Sequence, residues 1–333
     1  MSGPGRCLLR VPRPACRVTD WFALDMHAQY GLAASRIIYG LFVVLTVAVN
    51  APDRQFLWGT GSAWAQPYRA HSIWGSPVFG YFNGADPSGV FTAKYLVLGI
   101  LGVCMMMGLA SRVSTIAVFF MFTSLIAAGP TSTDTEDVVA RIVLLWLCFA
   151  DTSQRLSLDR WIARRRGLLA AGNDMRALRP GLLPDSVRVP IHNAALVLIG
   201  AQIIIIYLVA GLAKLRGSLW RDGTAIYYPL HAGYLSPWPS LSHFVANQPL
   251  AVHAMSWGSV VLQIVFGLLL LRHRTRVVAV VAMVSLHAGI ALFLGLGLFS
   301  LAMVGADFAF IQDRTVARLA SRLYPRAHLV EHS

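Results

Sequence analysis

Eight apolar runs punctuate the chain, at roughly 34–50, 93–110, 112–129, 137–151, 192–212, 252–271, 276–294 and 296–312. Each approaches the ~20 residues that carry an α-helix across a hydrocarbon core of ~30 Å. The pattern predicts an all-α fold: a polytopic integral membrane helix bundle of about eight transmembrane helices. The polar segments between the runs are not alike. Arginines crowd the N-terminal tail (Arg6, Arg10, Arg13, Arg17), the loop 152–190, the stretch RHRTR at 272–276 and the C-terminal tail. With eight spans all four basic segments fall on one side, as the positive-inside rule asks. Both termini are therefore expected in the cytoplasm. The expected organisation is a tail at 1–30, a transmembrane domain at 31–312 with its Arg-rich cytoplasmic loop 152–190, and a second tail at 313–333.

The opposite side receives TSTDTED (131–137), the aromatic loop 51–92 with Trp58, Trp64, Tyr68, His71 and Trp74, and the segment 224–250. That last segment, rich in Tyr, Trp, Pro and His, reads as a short interfacial helix or re-entrant piece. The N-terminal tail is basic but has no long apolar core, so it is expected to stay rather than be cleaved as a signal peptide.

Composition agrees with the pattern. Apolar residues make up 56% of the chain and charged ones 13%, with a mean hydropathy of +0.60. Soluble domains carry about 25% charged residues. The net charge of +13 therefore reads as attraction to anionic lipid on the cytoplasmic face, not as nucleic-acid binding. The expected partner is the lipid bilayer, and the expected location is the cell membrane. Cys7, Cys16, Cys104 and Cys148 match no zinc spacing and form no disulfide framework. No metal is expected.

One basic residue is out of character. Of 28 basic residues only Lys94 and Lys214 are lysines. Lys214 closes the apolar run YLVAGLAK at the extracytoplasmic end of the fifth span. Burial disfavours the ammonium form, and a neutral amine is a usable general base, as a guanidinium is not. Against this stands the plain alternative that Lys214 snorkels to the headgroups. Gly211 and Ala210, just before it, permit close helix packing and turn this face inward. Tyr207 lies seven residues, about two turns, before the lysine and on the same face.

Around Lys214 other residues qualify. Trp220, Asp222 and Gly223 form a turn after the helix, in which Asp222 could pair with Lys214 or Arg221. His287, midway along the seventh span, reads either as a proton relay or substrate contact or as a helix–helix hydrogen bond. Asp307 reads as structural, paired with a basic residue. Arg36 and Arg112 sit at the cytoplasmic ends of the first and third spans, where snorkelling is the default.

Together these stretches resemble the HTTM (horizontally transferred transmembrane) domain, the family of vitamin K-dependent gamma-carboxylase. YLVAGLAKLRGSLWRDG is similar to its signature of an aromatic, Ala-Gly-x-x-Lys and Trp-x-x-Gly, carried here by Tyr207, Ala210, Gly211, Lys214, Trp220 and Gly223, with one residue inserted before the tryptophan. SRIIYGLFVVL (35–45, with Arg36), MGLASRVST (107–115, with Arg112), RLSLDRW (155–161, with Asp159) and HAGIALFLGLGLF (287–299, with His287) resemble further family stretches, in order, over roughly residues 30–311. The resemblance implies Lys214 as the base that deprotonates reduced vitamin K or menaquinone. Oxygen-dependent epoxidation would then be coupled to proton abstraction or carboxylation of a peptide or protein substrate on the extracytoplasmic side. It also implies Tyr207, Trp220, Asp222 and His287 near the quinone. Where the carboxylase has a functional histidine before the fourth span, this chain has Glu136.

Two classes of function follow. One is a quinol-dependent, carboxylase-like enzyme with Lys214 as base. The other is a non-enzymatic membrane protein, such as a peptide-toxin maturation helper, a transporter or a structural protein, in which Lys214 only packs.

Overall fold

The computed structural model describes residues 19–62, 79–83, 86–168 and 184–323. Trp64, Tyr68, His71 and Trp74, Cys7 and Cys16, and Arg6, Arg10, Arg13, Arg17, Arg176, Arg179 and Arg326 lie outside them. Every apolar run is helical, and no strand occurs among the described residues. The helices are α1 (Gln29–Val49), α2 (Ser88–Met107), α3 (Ser111–Ala128), α4 (Thr135–Phe149), α5 (Asp185–Lys214), α6 (Pro249–Leu269), α7 (His273–Leu294) and α8 (Gly297–Asp307).

Six of them, α1, α2, α3, α5, α6 and α7, are long and apolar enough to cross a membrane. Of the eight or so spans expected, these six have the length and composition of a span. α4 has 15 residues and α8 has 11, short of the ~20 that a span requires. α8 is instead a core helix. It packs on α1, α4, α5 and α7, and Ser300, Ala302, Met303, Gly305, Ala306 and Asp307 on it are buried.

Contacts at the helix ends fix the alternation. At one end the start of α1 meets the end of α2, because Arg36 donates to the Met105 carbonyl at 2.7 Å. The start of α5 meets the segment after α4, where the Asp151 N–H donates to His192 Nδ1 at 3.0 Å. At that same end Asp313, after α8, accepts the N–H groups of Gln29 and Tyr30 at 3.1 and 2.9 Å. At the other end Arg54, after α1, donates to Thr92 at 3.2 Å, and Gly223, after α5, lies on His253 of α6. Successive helices thus run up and down between an arginine-rich end and an end that holds Lys214.

Arg36 does not snorkel. It is 0% exposed and ties α2 to the loop after α4, donating also to the Leu156 carbonyl at 2.6 Å. The turn after α2 leaves room for it only because residue 108 is glycine, at φ +69°. A Cβ there would collide with the Arg36 guanidinium. Gly108 is the left-handed residue of a Schellman end, with Leu109 N–H donating to the Cys104 carbonyl at 2.9 Å. Asp159 completes the junction by accepting the N–H groups of Ala110 and Ser111 at 2.8 and 2.9 Å. These are the unsatisfied donors at the start of α3, where a carboxylate is favoured. Arg112, next along, is exposed.

The segment 224–250 forms two short helices, Tyr227–His231 and Pro239–Ala246. The first is pinned to α6 by Ile226 N–H donating to Ser256 Oγ at 3.2 Å. Outward faces of the long helices are apolar, with Val113 and Leu268 each 68% exposed, as lipid contact requires.

Candidate functional site

Lys214 is the last residue of α5, where a cation suits the negative end of the helix dipole. Three residues earlier, one turn away, Gly211 faces α6. A Cβ there would lie 2.7 Å from Ile264 Cγ1 and 3.2 Å from the Ile264 nitrogen. The two helices therefore touch through glycine, and that contact brings Lys214 to Gln263. Lys214 Nζ donates to Gln263 Oε1 at 2.9 Å. Because lysine only donates, the Gln263 amide must present its oxygen here, which leaves its N–H₂ free of protein partners among the described residues.

The turn after the helix folds Trp220 back over the amine, with Nζ 5.2 Å from the ring centroid. That separation is within cation–π range. Gly223 closes the turn at φ +74°. A Cβ there would meet His253 Cδ2 at 2.8 Å, so both backbone sign and space demand glycine. Trp257 Nε1 donates to the Arg221 carbonyl at 3.1 Å and docks the turn on α6. No carboxylate among the described residues pairs with Lys214.

Lys214, Trp220 and Gln263 stand on the wall of a cavity of about 630 Å³. The remaining walls are apolar, from Leu230, Leu262, Leu286, Ile290, Phe293 and Phe299 among others. The two serines present, Ser259 and Ser285, spend their hydroxyl protons on backbone carbonyls of their own helices. Polar chemistry is confined to the lysine end. Mostly apolar walls with a few placed polar groups are the usual make-up of a small-molecule site, and the volume is in the usual range.

The other predicted site residues divide. Tyr207 and His287 are buried, but they do not line this cavity. Tyr207 Oη donates to Asp307 Oδ2 at 2.8 Å and lies 3.1 Å from His287 Nε2. Since the tyrosine proton goes to Asp307, His287 donates through Nε2–H. Asp307 thus pairs with a tyrosine and not with a basic residue as expected. Asp307 Oδ1 and His287 Nδ1 are left without partners among the described residues. Phe299 touches both, with its ring 5.7 Å from that of His287 and on the cavity wall. Asp222 is exposed and stands off the cavity wall.

Sequence reasoning passed over Gln263 and the pair His192–Asn193. Gln263 had a signal, being a lone amide within an apolar run of α6. Asn193 Nδ2 donates to the carbonyls of Trp21, Phe22 and Asp25 and its Oδ1 accepts the His27 N–H at 3.1 Å. That ties the N-terminal segment to α5. Two adjacent polar residues at the start of an apolar helix were the visible clue.

Fold and site define a multi-pass helical membrane protein with a lysine at the edge of an apolar cavity. Residues 182–313 match the family model of the HTTM domain, so the resemblance read from the sequence motifs is borne out over α5 to α8. Over that stretch the chain is similar to the HTTM domain, and its apolar helices are those of a multi-pass membrane protein. No curated protein and no solved structure matches the chain.

Proposed function

We propose that Lys214 is a general base acting on a hydrophobic quinol, of the reduced vitamin K or menaquinone class, held in the cavity between α6 and α7. The observation that carries this reading is the amine itself. It faces an apolar cavity with one neutral amide and one indole beside it and no described carboxylate to hold its proton. A base must be uncharged to accept a proton, and low polarity favours that form.

The chain's groups fit such a ligand. The apolar walls suit a naphthoquinol ring and the start of an isoprenoid tail. The Lys214–Gln263 end is the one place for a phenolic hydroxyl. There Lys214 Nζ accepts the hydroxyl proton while the free Gln263 N–H₂ donates to the same oxygen and orients it. Trp220 stabilises the ammonium that forms. The walls exclude water from the anion. When bound, the quinol supplies oxygen-dependent epoxidation chemistry, coupled to proton abstraction or carboxylation of a peptide or protein substrate. No metal-binding cluster occurs among the described residues.

The test is quinone-epoxide formation by the purified protein with reduced vitamin K or menaquinol, oxygen, bicarbonate and candidate peptides, followed by mass spectrometry. Wild type is expected to form epoxide, Lys214→Ala none, and Lys214→Arg less than a hundredth of wild type. That last figure follows the about 10²–10⁴-fold that a positioned base contributes. Full retention by Lys214→Arg would remove the base role. No epoxide from folded wild type would leave Lys214 as a packing residue of a non-enzymatic maturation or transport protein.

A further inference from the structure

A second cleft, of about 660 Å³, opens at the arginine-rich end of the bundle, between α5 and the α6–α7 turn. Its floor is apolar. Leu196, Gly200 and Ile204 follow one another at four-residue spacing along α5 and form one stripe. At its mouth stand Arg276, Arg314 and Trp21. Arg276 spends Nε and Nη2 on the Leu270 carbonyl, at 3.0 and 2.7 Å. Its Nη1 has no partner among the described residues. Arg314 is exposed and likewise unpaired there. The one carboxylate at the mouth, Asp313, has both oxygens occupied by the N–H groups of Gln29 and Tyr30. Two guanidiniums outweigh that one carboxylate, so the described residues at the mouth carry net positive charge, with an apolar trough running inward and an indole at the rim.

We infer that this cleft is a binding site for one anionic phospholipid, with its phosphate between Arg276 and Arg314 and an acyl chain along the Leu196–Gly200–Ile204 stripe. Basic pockets between transmembrane helices suit such headgroups, and the polarity gradient of the cleft matches that of a lipid. Residues of the Lys214 cavity take no part, so the inference stands or falls apart from the proposed chemistry.

The experiment is native mass spectrometry of the full-length protein in a neutral detergent. It is titrated with phosphatidylglycerol, with phosphatidylcholine of the same acyl chains, and with inorganic phosphate. Phosphatidylglycerol is expected to bind as a 1:1 adduct at least tenfold more tightly than phosphatidylcholine, and phosphate alone not to bind. Arg314→Gln, on an exposed side chain, should weaken that adduct about fivefold, from the contribution of one basic residue to an anionic headgroup. Ala201→Trp, also exposed in the trough, should block the acyl chain and weaken both lipids while leaving the charges in place. Equal affinity for the two lipids, phosphate binding as well as lipid, or an unchanged adduct in Arg314→Gln would each overturn the assignment.

Discussion

Lys214 owes its position to two small decisions in the sequence. Gly211 lets α5 and α6 touch one turn below it, and Gln263 then meets its amine without adding charge. That neutrality is testable. Gln263→Glu is nearly the same size, yet it places a carboxylate about where Oε1 now stands, 2.9 Å from Nζ. An opposite charge at that range favours the ammonium by a pKa change of about 1–3. Epoxide formation should fall at least tenfold while the melting temperature of the solubilised protein holds. Unchanged activity would mean that the lysine never needs to be neutral. The lysine itself was legible in the sequence, because two lysines among 28 basic residues are conspicuous. Its partner was not, since which residue of a neighbouring apolar helix faces α5 depends on the crossing geometry, and one sequence does not reveal that.

Between elements, polar groups in the interior act as ties. Tyr207 joins α5 to α7 through His287 and to α8 through Asp307. Tyr207→Phe removes one oxygen and strands two buried groups, each at about 1–3 kcal/mol. The melting temperature should fall clearly, and Lys214-dependent activity should fall only with it, because Tyr207, His287 and Asp307 do not line the cavity. A selective loss of activity in a protein of unchanged stability would instead join the cluster to the chemistry.

The junction of α4 and α5 is tied by Asp151. Burial pushes its carboxyl up, but hydrogen bonds from Gln154 and Ser153, at 2.7 and 2.8 Å, and the charge of Arg188 outweigh this and hold it below the usual range. A carboxyl lowered on folding stabilises fully above its unfolded value of about 3.9, and that contribution is lost as pH falls through the folded value. Wild-type melting temperature should therefore drop below about pH 4. Asp151→Asn should already be lower at pH 6 and change less on acidification. Identical acid profiles would remove Asp151 from the account. Helix identities were legible from the apolar runs, whereas these ties were not. A buried Arg36 and a surface one read the same in sequence, and only the carbonyls of Met105 and Leu156 tell them apart.

For the whole molecule, the alternation of helix ends makes a prediction about sidedness. In a cysteine-free background, single cysteines replacing Arg274 and Arg318 should react with a membrane-impermeant thiol reagent from one side of the bilayer. A cysteine replacing Ser218 should react from the other. Labelling of 274 and 218 from the same side would break the alternation, since only α6 and the short helices before it lie between them. Only six of the eight or so expected spans have full span length, for a physical reason. A short apolar helix that is buried by protein and one that is bathed in lipid have the same composition, and α8 is of the first kind.

The other short helix has a consequence for the bilayer itself. α4 rises about 22 Å over its 15 residues, against a hydrocarbon thickness of ~30 Å, and Val138 and Phe149 near its two ends remain exposed. Lipids along that flank must shorten to meet it, at a cost of fractions of a kcal/mol for each ångström. A bilayer that meets α4 along its length is therefore expected to thin there, and the protein's preference among membranes should follow their thickness as well as their charge.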